Sequence, residues 1–380
     1  MACHVFGHKN GSFNVCFFVQ FDDGVVWVVR VPIEASLHQA WEKLQSEVAT
    51  IQYLEQRTDI PVPHIQAYGS GVALTEDSSS RQMFVISDFI AGDSLTKQRL
   101  HLANAERKAA FYRQLITILA ELRSLEFPKI GSLMPGPDPG EPMVGDLLTI
   151  PANALHRKLP RYGTASMYMN SQFDIIRDQI HGTVADYDED DARNDLFALS
   201  NLEKCFRKLI DPELDSGPFV LSHCDLRHGN IVVDDRLNIK GIIDWEFTAV
   251  IPIQLSLPPS WATGCEPDVY TSASSTAFHQ AVQEAAKDNA DLDQLKTEWY
   301  KPHAARIAHV IRYPSDLCSI FYESDVFSKS IAEEMYGDGV DAATAAFFAK
   351  SPMHTIDARL LSERSLRYTQ YLKRENLYQL

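Results

Sequence analysis

The chain of 380 residues has no apolar run approaching the ~20 residues that a membrane-spanning helix needs. It has no excess of basic charge. Lys and Arg number 35 against 51 Asp and Glu, a net charge of −16, which argues against a nucleic-acid partner, since that requires a basic face. Cysteine is sparse: Cys3, Cys16, Cys205, Cys224, Cys265 and Cys318 show neither disulfide nor metal spacing. That pattern predicts free thiols in a reducing, cytoplasmic compartment. The first residues, Met-Ala-Cys-His-Val-Phe-Gly-His-Lys, lack the charged-then-apolar order of a secretory signal. There is no internal repeat, no low-complexity tail and no Gly-x-Gly-x-x-Gly loop. What remains is ordinary globular composition, 45% hydrophobic and 23% charged, at a length that suggests about two domains. The acidity is compatible with a cationic substrate drawn to an acidic cleft, although solubility alone is the more general explanation. Part of it is local: Asp186 to Asp191 is nearly all acid and reads as a solvated loop.

The most informative stretch is 223–246. It reads His223-Cys224-Asp225-Leu226-Arg227-His228-Gly229-Asn230, then Ile231-Val232-Val233, a polar turn, and Gly241-Ile242-Ile243-Asp244-Trp245-Glu246. The two β-branched runs flanking Asp234 to Asn238 predict a hairpin folded back near Leu237. In that register Ile231 faces Ile243 and Val233 faces Gly241. Asn230 and Asp244 then arrive at the same end of the ladder, with Asp225 one short loop upstream. Turn chemistry accounts for any one of these polar residues alone. Together they are two carboxylates and a carboxamide around one hairpin mouth, enough to hold magnesium and activate a hydroxyl.

This ordered set resembles the aminoglycoside phosphotransferase family, and fungal members in particular. That family is a branch of the protein-kinase-like fold with a His-x-Asp-x-x-x-x-Asn loop followed by an Ile-Asp-Trp/Phe segment. The resemblance covers most of residues 11–265 and implies an α+β, bilobal fold. A small antiparallel-sheet lobe with one main helix would occupy 1–93 and bind ATP. A larger, mainly helical lobe would occupy 94–380, with an interlobe hinge near 87–93. It further implies that Asp225 orients the acceptor hydroxyl and takes its proton, that Asn230 and Asp244 hold Mg2+ against the ATP phosphates, and that His223 braces the loop.

The first lobe is legible in outline. Phe13 to Gln20 and Val25 to Val31 are strand-like around an Asp22-Asp23-Gly24 turn. Ala40, Leu44, Val48, Ile51 and Leu54 recur at helical steps within a helix expected over Ser36 to Gln56. A kinase-like lobe places a cation on its third strand and a helix carboxylate to fix it, and Arg30 and Glu47 stand in those places. Arg30 departs from the more usual Lys, but its planar fork can pair a carboxylate or phosphate in bidentate fashion. Gly11 and Ser12, before the first predicted strand, offer backbone N–H groups to phosphate, as a weak stand-in for a phosphate loop. Ile60-Pro61-Val62-Pro63 must be extended. Met83 to Ile86 reads as a buried strand running into Asp88-Phe89-Ile90, where the resemblance places the adenine, with Phe89 as an apolar wall.

In the second lobe, Ala105 to Leu125 is an amphipathic helix, and Pro135 to Pro142 carries no element. Ser166 to Ile180 and Asp195 to Ile210 predict two helices within an insertion over about 143–217, which in this family shapes the acceptor pocket. After Glu246, prolines are expected to prevent a further strand. Ala304 to Leu317 and Glu363 to Leu377 are helix candidates. Asp268, Glu298, Asp316 and Asp325 could line an acceptor pocket, with nothing ranking one above another.

The implied reaction is transfer of the γ-phosphoryl group of ATP to a hydroxyl of a small molecule. The acidity tilts weakly toward an amine-bearing acceptor. Two rivals stand beside this reading. One is a nucleotide-binding pseudokinase, motivated by Arg30, the sparse phosphate loop and Cys224. The other is a metal-dependent hydrolase ligated by His223, Asp225, His228 and Asp244.

Overall fold

The computed structural model describes residues 2–73, 81–138, 140–264, 271–287, 289–301, 303–322 and 330–378. Its N-terminal part is a five-stranded antiparallel sheet in the order β1-β2-β3-β5-β4, formed by β1 (Cys3–Asn10), β2 (Asn14–Phe21), β3 (Val26–Pro32), β4 (Ile65–Val72) and β5 (Gln82–Asp88). The β2–β3 hairpin closes at Asp23-Gly24, where Gly24 takes φ +88°, a left-handed conformation that glycine adopts at no steric cost. Helix α1 (Ala40–Arg57) buries Leu44, Val48, Ile51 and Leu54, the stripe its periodicity predicts. Its polar residues Lys43 and Glu47 are as deeply buried as the stripe, and each has a charged partner.

Two departures concern this part. β1 was not anticipated, because its sequence, Cys-His-Val-Phe-Gly-His-Lys-Asn, lacks a clean period, and seven of its eight residues are exposed. It therefore takes in Gly7 to Asn10, leaving Gly11 and Ser12 exposed in the β1–β2 turn.

The chain leaves the sheet through Phe89 to Gly92 and immediately meets the second half of the molecule. Asp93–Ser94 pairs with Val232–Val233, and the Leu95 N–H donates to Ile231 O at 2.8 Å. Gly92, at φ +142°, sits where a Cβ would lie 2.7 Å from Val233 O. The Pro-rich 60–63 segment runs extended past the same hairpin, and Pro61 O accepts from the Ile242 N–H at 2.8 Å.

The remainder is mostly helical. The Ala105–Ser124 helix places Phe111, Tyr112 and Leu115 in the core with no exposed surface. The insertion carries the Ala165–Ile180 and Glu189–Leu209 helices, with the Pro352–Arg374 helix packed on the latter. The second of these begins earlier than its apolar pattern suggests. Asp188 accepts from the Asp191 N–H and Asp191 from the Asp188 N–H, a reciprocal capping box, with Glu189, Asp190 and Asp191 at the positive end of the helix dipole. Half of the acidic run expected to be a loop is thus a helix start. Ala249–Pro252 is a strand despite its proline, because Pro252 sits at the strand end, opposite Phe219. Pro314 divides the predicted Ala304 to Leu317 helix, which ends at Arg312. Among the described residues, no helix is long and apolar enough to cross a membrane.

Candidate active site

The hairpin predicted from the β-branched runs is present as Ile231–Val233 against Ile239–Ile242, with Leu237 at φ +67° in its turn. Its register differs by one from that predicted. Ile231 faces Ile242 and Val232 faces Gly241, and an irregularity then brings Val233 opposite Ile239. Gly241 lets the Ile90 side chain pack close, since a Cβ there would force Ile90 to shift. The slip does not disturb the mouth. The Ile243 N–H donates to Asn230 O at 3.0 Å, so Asn230 and Asp244 still reach one end.

The loop that precedes the hairpin is held by buried groups. His223 is 2% exposed, its Nε2 lies 3.0 Å from Ile243 O, and its ring rests on Trp245. Burial lowers its pKa to about 4, so the ring is neutral. Cys224 and Asp244 both take left-handed backbone angles, φ +55° and +70°, unusual for residues with a Cβ and a form of local strain found at functional sites. Burial raises the Cys224 thiol pKa, which disfavours a nucleophilic thiolate.

Asp225 is 7% exposed, and its carboxylate gathers three donors. The Tyr313 hydroxyl donates to Oδ1 at 2.8 Å, Arg227 Nε stands 3.2 Å from Oδ2, and Asn230 Nδ2 donates to the main-chain oxygen at 2.9 Å and more loosely to Oδ2 at 3.4 Å. Arg227 also reaches Asp244, at 4.0 Å. With its amide nitrogen turned to Asp225, Asn230 keeps its carbonyl oxygen for another partner. Burial, then the neighbouring Glu246, push the Asp244 carboxyl above its ordinary range, with Arg30 opposing. A hard dication would relieve that strain, and a carboxylate beside a carboxamide oxygen is a donor set suited to Mg2+.

Arg30 and Glu47 form the expected ion pair, with side-chain exposures of 16% and 4%. A second buried pair lies beside them. Lys43 bonds to Glu246, Asn14 Nδ2 donates to the same carboxylate oxygen at 2.9 Å, and the Lys43 ammonium lies 5.1 and 4.9 Å from the ring centres of Phe13 and Phe247. Burial works to raise the Glu246 carboxyl, but Lys43 and Arg30 outweigh it and leave the pKa lowered. This cluster fastens the residue two past Asp244 to the start of β2 and to α1. Sequence reasoning gave Glu246 no role and missed Lys43, Asn14, Arg227 and Tyr313. The signal for Lys43 was available, since it lies one helical turn before Glu47 on the same face.

A sequence profile of the phosphotransferase enzyme family matches residues 8–296. The chain belongs to that family. Among curated relatives, the family member is similar to the clavilactone A biosynthesis cluster protein Y of Ampulloclitocybe clavipes, at 31% identity over 65% of this chain and 61% of that protein. It is also similar to the mitochondrial protein "altered inheritance of mitochondria protein 9" of Candida albicans, at 28% over 32% of this chain and 20% of the other. It therefore spans less than two thirds of the length of either. Among solved structures, the GDP and kanamycin complex of APH(2")-IIia superposes with a TM-score of 0.48 at 13% identity, covering 96% of this chain and 93% of that one. A likeness that loose says nothing about this phosphotransferase-family chain's acceptor.

Of the three expected nucleotide contacts, Asp88 and Phe89 already use their N–H groups within the protein, to His64 O at 2.9 Å and Val26 O at 3.1 Å. Phe89 is 39% exposed, with its ring edge-on to Phe18. The acids nominated for an acceptor pocket scatter. Glu298 pairs with Arg123, Asp316 bonds to His309 at 2.8 Å, and Asp268 and Asp325 lie outside the described residues. The four residues of the hydrolase alternative do not converge. His223 is turned to Ile243 O, and the His228 ring packs on Trp261 at 4.2 Å.

Proposed function

We propose that this chain is an ATP- and Mg2+-dependent kinase of a small-molecule hydroxyl, with the change of lobe at 87–93. The observation that supports it most is the convergence of Asp225, Asn230 and Asp244 at one hairpin mouth, beside the buried Arg30–Glu47 pair. In this reading the acceptor hydroxyl replaces the Tyr313 hydroxyl at Asp225 Oδ1. Asp225 takes its proton, the oxygen bonds to the γ-phosphorus, and the bond to the β–γ bridging oxygen breaks to release ADP. Asn230 and Asp244 would hold Mg2+, which supplies charge neutralisation of the phosphate oxygens. Arg30, fixed by Glu47, pairs with the phosphates, and Arg227 lies between Asp225 and Asp244, where charge develops on the transferred group. Gly11 and Ser12 cover the phosphates from the β1–β2 turn. The adenine lies against Phe89 and is read at the Ile90 N–H. His223 holds the loop through Ile243 and does not react. Most of the catalytic effect is positioning, since this reaction needs little covalent help from the protein.

The test is ADP release with Mg2+ and ATP across a panel of small hydroxylated compounds, with Asp225→Asn as the blank. Asp225→Asn should abolish transfer yet bind ATP, as read by thermal shift. Near-parental turnover in that variant removes Asp225 as the base. Binding of ATP with no Asp225-dependent product from any acceptor supports the pseudokinase reading instead.

A further inference from the structure

A cavity of about 250 Å³ opens against the catalytic loop, lined by Arg227, Trp261, His309, Arg312, Tyr313 and Asp316, among others. Its charges are almost all matched. Asp316 accepts from His309 at 2.8 Å, and Arg227 is shared between Asp225 and Asp244. Arg312 is the exception. It is the last residue of the Ala304–Arg312 helix, and among the described residues its guanidinium has neither an ion pair nor a hydrogen bond. The next residue, Tyr313, reaches Asp225 at 2.8 Å, so Arg312 belongs to the wall that faces the base. Its charge reaches Cys224, opposing the upward push that burial gives the thiol. It lines not only this cavity but also a narrow crevice of about 40 Å³, walled by Tyr168, Ile251, Leu255 and Ile311. Gln172 also lines that crevice. It is 1% exposed, and its Nε2 has no hydrogen-bond partner. A helix-terminal Arg is stabilised by the dipole wherever it points. A buried carboxamide with an orphan donor in the crevice that Arg312 also lines is a separate observation, and it calls for an acceptor atom.

Resting on the phosphotransfer reading above, we infer that the acceptor is a compact hydroxy acid. Its carboxylate pairs with Arg312, and its hydroxyl takes the place of Tyr313 at Asp225. Its body lies between Trp261 and Tyr313, and a small oxygen-bearing group at the mouth of the crevice accepts from Gln172. This is the opposite of what the net charge of −16 suggests, because the charge left unmatched in this cavity, among the described residues, is the Arg312 guanidinium and not a carboxylate. A polycationic aminoglycoside would meet the unmatched Arg312 guanidinium in this cavity, with Asp316 already engaged.

The experiment compares three acceptors of one shape, para-hydroxymethylbenzoate, its methyl ester, and para-aminomethylbenzyl alcohol, alongside kanamycin. Each is assayed for Asp225-dependent phosphate-ester formation by 31P NMR and for binding by thermal shift. The acid should exceed the ester and the amine by tenfold or more in kcat/KM. Arg312→Met should bring the acid down to the level of the ester, whereas Arg312→Lys should retain part of the preference. Gln172→Leu should leave the acid-to-ester ratio unchanged, because these probes carry no further oxygen to accept from its Nε2. If the amine or kanamycin is the better substrate, if the acid keeps its advantage in Arg312→Met, or if only ligands without a carboxylate bind, the inference falls while the kinase reading stands. If nothing is phosphorylated and ATP does not bind, both fall.

Discussion

Replacing Lys43 by Met tests whether the cluster at Glu246 is a structural fastening between the two halves of the molecule. The Lys43 and Glu246 side chains are 3% and 5% exposed, so water cannot take over for a missing partner. Removing one member of a buried pair costs about 3–5 kcal/mol, because the other charge is left uncompensated. Two terms pull in opposite directions. The ammonium's two ring contacts are lost, each worth roughly 0.5–2 kcal/mol, while Asn14 still donates to Glu246 at 2.9 Å. Met also fills the space between Phe13 and Phe247 with a thioether that packs well on rings. The expected loss for Lys43→Met is therefore about 3 kcal/mol, and for Glu246→Gln about the same. Lys43→Met/Glu246→Gln, with no charge left to bury and Gln still able to accept from Asn14, should lose only about 1–2 kcal/mol. That leaves a coupling of about 4–5 kcal/mol. The assay is urea unfolding followed by tryptophan fluorescence, to which fully buried Trp245 contributes. The folded Glu246 carboxyl lies below its ordinary value of 4.5, so the pair stabilises above that pH and its contribution fades as pH falls through the folded value. A Lys43→Met loss under about 1 kcal/mol, or a coupling near zero, refutes the reasoning.

Other outcomes follow from the same geometry. The unfolded His223 imidazole takes a proton near pH 6.5 but the folded one only near about 4, so stability is full above 6.5 and falls by on the order of 3 kcal/mol toward pH 4. His223→Gln, measured by unfolding at a series of pH values, should lack that part of the acid slope. Arg30→Met leaves Glu47 buried and unpaired, and should cost about 3 kcal/mol and weaken the thermal shift induced by Mg2+ and ATP. Arg30→Lys should recover most of the stability and less of the shift, because a point charge does not replace a planar fork. Gly92→Ala forces a Cβ against Val233 O at φ +142°, and should destabilise by about 1–3 kcal/mol in the same unfolding assay.

The candidate site at 223–246 was readable because its residues are local. His223 to Glu246 is one loop and one hairpin, so spacing alone brings Asn230 and Asp244 together. The predicted register was off by one already at Ile231, which faces Ile242, and Ile90, remote in sequence, packs on Gly241 where no local period could show it. The strand at Ala249–Pro252 was missed because a proline excludes the middle of a sheet but not its end. The start of the Glu189–Leu209 helix was missed because apolar period was read without the acidic cap that precedes it.

The sequence by itself determined the two-lobed α+β class, the hairpin mouth, the Arg30–Glu47 order and the helical stripes, since each depends on residues within a few turns or strands of one another. Tertiary structure alone decided which of the charges at the site are paired. Asn14 to Glu246, Lys43 to Glu246 and Tyr313 to Asp225 are contacts across 232, 203 and 88 residues, beyond any local period. The proposed acceptor wall belongs to that second class. Arg312 looks like any helix-terminal cation until the fold sets it in the cavity beside Tyr313, and in a crevice where Gln172 is buried with an orphan Nε2. Net charge sums over the whole surface, whereas a small molecule in a cavity responds to the few groups within a Debye length that water does not screen.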